Sequence, residues 1–133
     1  MDWVCSKDGK LNTSDLFVCP VCGTARPSRV VLTGCMGNAE LRLETVIGSA
    51  LLADVVGDEA RFCHNPQYRI CCGEDNVWRV FPAEEITSNI TVVNGVEVMK
   101  EGVSLNTGDV IAVASRKDAA KTAAAVKVEI IPL

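Results

Sequence analysis

The chain lacks the features that would tie it to a membrane or a secretion route. No stretch of its 133 residues approaches the ~20 consecutive apolar residues of a membrane span, and the first residues do not form the apolar run of a signal peptide. We therefore expect a soluble, cytoplasmic protein. Basic residues are also scarce, since 13 Lys and Arg against 17 Asp and Glu leave a formal net charge of −4. That balance argues against broad affinity for nucleic acid or anionic membranes.

The chain also has few residues in arrangements suited to catalysis. His64 is the one histidine of the chain, and a lone histidine without an orienting partner is poorly suited to general-base chemistry. No Ser-His-Asp, Cys-His-Asn or paired-carboxylate spacing is present, and the glycines do not form a phosphate-binding loop. We expect a protein that is not an enzyme.

Aromatic residues make up only 5% of the chain although 48% is hydrophobic, so the core must be mostly Val, Ile, Leu and Ala. From Ser28 onward, short β-type runs alternate with turn signals, as in a β-sandwich. The strongest turn signal is Asn94-Gly95, because a tight hairpin needs positive φ at both central residues. The Ala-rich stretch 118–125 is predicted to be a long hairpin loop. The predicted strands are 29–33, 40–46, 51–56, 68–72, 77–81, 91–93, 96–99, 109–114 and 126–131.

The seven cysteines fall into two groups. Four follow no ligand spacing and lie among apolar residues, which favours buried structural thiols; these are Cys35, Cys63, Cys71 and Cys72. The other three, Cys5, Cys19 and Cys22, lie in the polar, turn-rich first 27 residues. Cys19 and Cys22 form a Cys-x-x-Cys turn, which presents two thiolates to one zinc ion. A segment this short cannot bury a core of its own, so metal binding would supply most of its folding free energy.

The motif Trp3-Val4-Cys5, then Asn12, then Cys19-Pro20-Val21-Cys22-Gly23 has a specific spacing. It resembles the Ran-binding-protein type zinc finger, and the resemblance implies a Zn²⁺ site. That family carries a second Cys where this chain has Asp8. Because a carboxylate oxygen can complete a zinc site, Asp8 is the predicted fourth ligand. The alternatives are that Cys35 or His64 supplies the fourth ligand, or that the site has lost its metal.

Fingers of this family bind ubiquitin or single-stranded RNA, and neither activity carries over well. The ubiquitin binders have Thr-Phe directly after the second ligand, where this chain has Gly9-Lys10. The RNA binders have basic residues between the Asn and the third Cys, and residues 13–18 contain none to meet phosphate. We expect the apolar side chains of the finger to pack it against the rest of the chain; these are Trp3, Leu16 and Phe17.

A second series of motifs begins with Ile47-Gly48-Ser49 and ends with Leu105-x-x-Gly108-Asp109-x-Ile111, with Ser88-Asn89-Ile90-Thr91-Val92-Val93-Asn94-Gly95 between them. This series resembles a forkhead-associated (FHA) domain. The resemblance implies an all-β protein: an FHA-like β-sandwich at residues 28–133, preceded by a short zinc finger or ribbon at residues 1–27. It also implies that loops at one end of the sandwich meet a phosphothreonine peptide.

The departures from the FHA pattern fall on the residues that would read the phosphate. Phosphate recognition needs a charge-assisted donor, usually Arg, and the family's Arg position carries Ser49 here. Aligning Tyr68 with the next strand places His64, Asn65 and Gln67 at the family's Ser, Arg or Asn, and structural His. We therefore predict weak or absent phosphothreonine binding. The predicted partner-binding residues are Ser49, His64, Asn65, Gln67, Ser88 and Asn89.

Two function classes follow from these resemblances. The first is a non-catalytic protein-interaction module, adaptor or regulatory, whose partner is a protein or peptide, phosphorylated or not. The alternative is nucleic-acid binding through the finger, with the sandwich as a recruiting or dimerising unit. Acidic residues offset the basic residues of the finger, so no basic patch favours the alternative. The sequence does not indicate an oligomeric state.

Overall fold

The computed structural model describes residues 2–41, 44–83, 89–118 and 120–133. The described part of the chain is mostly β-structure, with one α-helix and one short 3-10 helix. Its elements are β1 (Trp3–Val4), β2 (Leu11–Asn12), β3 (Ser28–Thr33), β4 (Asn38–Leu41), β5 (Glu44–Ile47), α1 (Ser49–Val56), the 3-10 helix (Gly57–Phe62), β6 (Tyr68–Cys72), β7 (Trp78–Pro82), β8 (Asn89–Val93), β9 (Val96–Glu97), β10 (Val103–Ser104), β11 (Val110–Ser115) and β12 (Thr122–Pro132).

Two antiparallel sheets form the sandwich and a third, very small one forms the N-terminal finger. The larger sheet has the order β4-β3-β12-β11-β8-β9, the smaller one has the order β10-β7-β6-β5, and β1 pairs with β2. Alternate residues of the long strand β12 are buried, including Val126 and Val128, while Lys127 and Glu129 are exposed. This period of two places one face of each sheet in the shared core. The β-sandwich predicted from the sequence is confirmed.

The stretch 51–56 was predicted to be a strand, and this prediction was wrong: it lies in helix α1. The buried residues of α1 are Leu52, Val55 and Val56, which are spaced at i, i+3 and i+4 and so share one helix face. The β-branched valines favour a strand locally. The tertiary contact decides the outcome, because this face packs into the sandwich core. Gly57, with φ of 69°, ends the helix.

The loop predicted at 118–125 is shorter than expected, because β12 already begins at Thr122. Alanines favour neither strand nor loop strongly, and here their backbone pairs with β11 through Val113 and Ala123. The pairing register shifts between Ile111 and Val113, which marks a β-bulge. Within it, the buried Ala124 adopts a left-handed φ of 54°.

Other differences are smaller. The single strand predicted at 40–46 is two strands in different sheets, β4 and β5, and the short strands β1, β2 and β10 were not predicted. The Asn94-Gly95 turn is confirmed, with φ of 51° and 83°. The structural thiols are less buried than expected: Cys35 is exposed, and Cys63, Cys71 and Cys72 are partly exposed. None of the helices in the described ranges is both long enough and apolar enough to cross a membrane.

Candidate metal centre and ligand-binding loops

Two turns with the same backbone geometry face each other in the finger. In the first, the Cys5 amide donates to the Lys10 carbonyl (2.9 Å) and the Gly9 amide to the Cys5 carbonyl (3.0 Å). In the second, the Cys19 amide donates to the Thr24 carbonyl (2.8 Å) and the Gly23 amide to the Cys19 carbonyl (2.9 Å). Each turn closes on a glycine in the left-handed region, with φ of 77° and 76°. The segment Cys-x-x-Asp-Gly is therefore the structural twin of Cys-x-x-Cys-Gly.

These turns bring four potential ligands together: Cys5, Asp8, Cys19 and Cys22, whose ligand atoms all lie within 4.8 Å of one another. The sulfurs of Cys5 and Cys22 are 3.4 Å apart, and Asp8 Oδ2 lies 3.4 Å from Cys19 Sγ. A tetrahedral zinc ion with ordinary bond lengths gives edges of about 3.8 Å between two sulfurs and about 3.5 Å between sulfur and oxygen. The donor set and its spacing thus fit a tetrahedral metal ion.

Backbone amides support negative charge on these ligands. The Lys10 amide donates to Asp8 Oδ1 (2.8 Å) and is the main reason why the pKa of the Asp8 carboxyl is lowered. Burial raises the pKa of the Cys19 thiol, but the amides of Cys22 and Val21 bond to the sulfur and help to make the net shift a lowering. The equivalent amides of the first turn, Asp8 and Lys7, act on Cys5 in the same way. At Cys5, burial, the Cys22 sulfur and the Asp8 carboxylate together outweigh these amides, so the pKa of its thiol is raised.

The fourth ligand position beside the three cysteines is occupied by Asp8. Among the residues that the structure describes, neither Cys35 nor His64 belongs to the cluster, and Asp8 does. Cys5 and Cys19 are buried, Cys22 is partly exposed and Asp8 is exposed. The cluster therefore has a closed, sulfur-rich side and an open side at the carboxylate. Thr24, which sequence reasoning missed, places its hydroxyl 3.1 Å from Cys22 Sγ.

The apolar side chains of the finger do not dock it as expected. Trp3 is buried inside the finger against Cys5 and Cys19, and its indole N–H donates to the Leu16 carbonyl (2.8 Å). Phe17 is 67% exposed. The expectation that Trp3 and Phe17 pack the finger onto the sandwich was therefore wrong. Trp3 instead supplies the small core that the finger has besides its ligand cluster.

Polar contacts join the finger to the β6–β7 hairpin. Asn76, at the tip of this hairpin, donates from its side-chain amide to Ser6 Oγ (2.9 Å) and to the Ala25 carbonyl (3.0 Å). The Ala25 amide donates to the Asp75 carbonyl (2.9 Å). Ser6 lies in sequence between Cys5 and Asp8, so the hairpin bonds directly to one of the two turns that form the cluster. Beside Cys22, a cleft of about 600 Å³ lies between the finger and the β6–β7 hairpin.

At the end of the sandwich, the loop after β5 and the loop before β6 lie against each other. Ser49, where the FHA resemblance expects an arginine, is the first residue of α1 and is partly buried. A Cβ atom added at Gly48 would clash with Asn65 Oδ1, so glycine is what allows the exposed Asn65 side chain to approach. His64 is partly buried, and its amide N–H donates to Gln67 Oε1 (2.8 Å). Partner contact by these residues stays a prediction.

Two of the three amide side chains predicted to face a partner, Gln67 and Asn89, instead bond to each other inside the protein. Gln67 is 2% exposed and donates from Nε2 to Asn89 Oδ1 (3.0 Å) and to Thr91 Oγ1 (3.1 Å). Asn89 is also buried and donates from Nδ2 to the Phe62 carbonyl (2.7 Å). All polar atoms of the Gln67 side chain are thereby engaged, as a structural residue requires. Ser88 lies outside the described residues.

Solved structures of FHA domains have the fold described here. One, from a study of phosphothreonine-dependent FHA domain interactions, is 20% identical with a TM-score of 0.55, covering 79% of this chain and 99% of the other. The N-terminal FHA domain of S. cerevisiae Rad53p, in complex with a phosphothreonine peptide, is 22% identical with a TM-score of 0.53, covering 78% and 93%. An engineered FHA domain with a Myc-pTBD peptide is 22% identical with a TM-score of 0.51, covering 81% and 92%. No protein-family model and no curated protein sequence matches the chain.

Proposed function

We propose that the chain is a non-catalytic protein-interaction module in which a zinc-bound finger at residues 1–27 braces an FHA-like sandwich at residues 28–133. The fold supports this proposal, because the similar solved structures include FHA domains in complex with peptides. The finger contributes a metal site rather than a catalytic one: its three thiolates and one carboxylate would fill all four positions around zinc. A closed coordination shell is typical of structural zinc.

We further propose that phosphothreonine recognition is weak or lost. The observation that carries this is Ser49, which stands where the resemblance expects the phosphate-binding arginine, together with the burial of Asn89, a predicted donor. A phosphate dianion needs charge-assisted, converging donors. The Asn89 amide already donates to the Phe62 carbonyl inside the protein. The partner would then be recognised mainly by something other than a phosphothreonine.

A titration with phosphothreonine peptides tests this. A peptide library with a fixed phosphothreonine and an otherwise identical library with threonine are titrated into the full chain, and binding is followed by fluorescence anisotropy. We expect the two libraries to differ in affinity by less than about threefold, that is, by less than about 0.7 kcal/mol. Phosphate-dependent binding in the micromolar range would overturn the proposal. A Ser49→Arg variant shows whether the missing arginine alone accounts for the loss.

A further inference from the structure

A second cleft lies at the end of the sandwich that carries the predicted ligand loops. It has a volume of about 570 Å³ and lies between the 3-10 helix and the β11–β12 hairpin. Val113, Ala114 and Ala123 give it an apolar floor, and Asn89 connects it to the loops described above. None of the four clustered ligands lines this cleft, and Asn89 is the one lining residue that the FHA resemblance also predicts.

Phe62 presents an aromatic ring at the edge of this cleft. The ring is unusually open for a phenylalanine, with 51% of the residue exposed. Its backbone is anchored, because the Phe62 carbonyl accepts from Asn89 Nδ2 (2.7 Å), and the Arg61 guanidinium lies 4.8 Å from the ring centroid. An exposed aromatic ring on an anchored backbone, beside an apolar floor, offers a surface for an apolar side chain.

The opposite wall contains the β-bulge of β12. Ala124 is buried with φ of 54°, a conformation that costs free energy in any residue other than glycine. Thr122 and Ala123, which precede it, line the cleft. β-Bulges are frequent beside binding sites, where they redirect side chains. The strain thus lies in the segment that shapes this cleft.

The charge on this wall is positive. Lys117 and Lys121 both line the cleft and are exposed. Neither forms an ion pair with an acidic residue of the described ranges. Glu59 lies on the opposite wall and disfavours a dianion. Lysines act as single point charges and lack the paired donors with which arginine holds a phosphate. The cleft therefore suits carboxylates better than a phosphoryl group.

We propose that this cleft docks an acidic peptide segment of a partner protein. An apolar side chain of the segment would pack on Phe62 and the alanine floor, and flanking carboxylates would meet Lys117 and Lys121. This inference rests on the proposed function as an interaction module and names the class of its partner.

Anisotropy titrations of the full chain with short fluorescein-labelled peptides test the proposal. The probe has a central leucine flanked by aspartates, and the comparison peptides carry asparagines in their place or one added phosphothreonine. We expect the aspartate peptide to bind about tenfold more tightly than the asparagine peptide, with an affinity that falls as salt is added. The double variant Lys117→Glu/Lys121→Glu should weaken binding about tenfold, and Phe62→Ala should weaken it about fivefold.

The control is the double variant Lys100→Glu/Lys127→Glu, which makes the same charge change at exposed lysines outside the cleft lining. Equal affinity for the aspartate and asparagine peptides, equal losses in the two double variants, or a preference for the phosphothreonine peptide would each overturn the acidic-peptide assignment. A display selection with random peptides separates this from the wider proposal. Selected peptides that bind both double variants equally would overturn the cleft and leave the interaction function standing. A selection that yields no binder would overturn both.

Discussion

At the scale of single residues, Asp8 changes the character of the proposed zinc site without changing its backbone. A carboxylate oxygen is a harder ligand than a thiolate, so three thiolates and one carboxylate hold a soft metal ion less selectively than four thiolates would. Asp8 is also the exposed member of the cluster. Exchange of the metal would therefore begin at Asp8, while Cys5 and Cys19 stay covered by Trp3.

The ligand set is also where the sequence was most informative. The resemblance to the Ran-binding-protein type finger, in which Asp8 stands at the second Cys position, predicted that Asp8 would join Cys5, Cys19 and Cys22. Turns of this kind are local structures closed by glycine. The internal pairing of Gln67 with Asn89 could not be predicted in the same way. It joins residues 22 positions apart and depends on how two loops meet in the folded sandwich.

The ion pair between Asp75 and Arg79 predicts a pH dependence. Arg79 donates to both carboxylate oxygens (2.9 and 3.2 Å) and lowers the pKa of Asp75 to about 2. The pair therefore stabilises the fold above the unfolded-state pKa of about 3.9, and this contribution is lost as the pH falls through about 2. Because both side chains are over a third exposed, we expect about 1 kcal/mol at neutral pH.

The measurement compares the free energy of unfolding of wild type and Asp75→Asn in urea at several pH values. The difference between the two proteins should be constant from pH 7 to pH 5 and should fall by about half by pH 3. Release of metal at low pH affects both proteins and cancels in the comparison. A difference that stays unchanged down to pH 3 would show that the charge of Asp75 contributes nothing.

At the scale of elements, strands were predicted well where neighbouring residues alternate and poorly where small or β-branched residues leave the choice to packing. The alternation of Val126, Val128 and Glu129 predicts the end of β12 correctly. The valines of α1 predict a strand, although the spacing of Leu52 and Val55 also fits a helix. For such segments, packing against the rest of the fold decides between helix and strand. The local sequence does not show which residues will pack against the segment.

The β-bulge of β12 places the buried Ala124 in the left-handed region, so a larger side chain there should destabilise the protein. Ala124→Val should destabilise the protein by about 2–3 kcal/mol, because a branched Cβ in the left-handed region adds strain and the extra carbons overfill the core. The exposed neighbour Ala125 provides the matched control, and Ala125→Val should change stability by less than about 0.5 kcal/mol. Urea denaturation measures both. Equal effects at the two positions would argue against a strained, buried bulge.

At the scale of the whole molecule, the finger and the sandwich are joined through Asn76 and the backbone of residues next to the ligand cluster. The finger has only a small core of its own, so we expect it to rely on this contact with the sandwich and on the proposed metal ion. The sequence indicated two units and a boundary near residue 28. It gave no sign of which surfaces meet, and the aromatic residues expected at the junction lie elsewhere.

The junction predicts that metal binding and sandwich stability are coupled. Asn76→Gly preserves the left-handed backbone (φ of 63°) and removes the hydrogen bonds to Ser6 and Ala25. We expect a loss of about 1–2 kcal/mol and a smaller fall in melting temperature when EDTA is added than in wild type. The reason is that removal of the metal then acts on a finger already detached from the hairpin.

Asn94→Gly is the control for this coupling. Asn94 also has a positive φ (51°), but its side chain bonds to Asp109 and Val110 within the sandwich. This variant should lower stability and leave the effect of EDTA unchanged. If EDTA lowers the melting temperature equally in wild type and Asn76→Gly, the finger does not support the sandwich through this contact.

The metal content of the purified protein decides whether the proposed zinc site exists, and the finger and its contact with the sandwich would both depend on that ion. Wild type, Asp8→Ala and the control Asp2→Ala are purified without added zinc and compared by native mass spectrometry and elemental analysis. We predict about one equivalent of zinc in wild type and Asp2→Ala, and a loss of most of it in Asp8→Ala. Absence of metal from all three proteins, or full retention in Asp8→Ala, would contradict a site built from three thiolates and the Asp8 carboxylate.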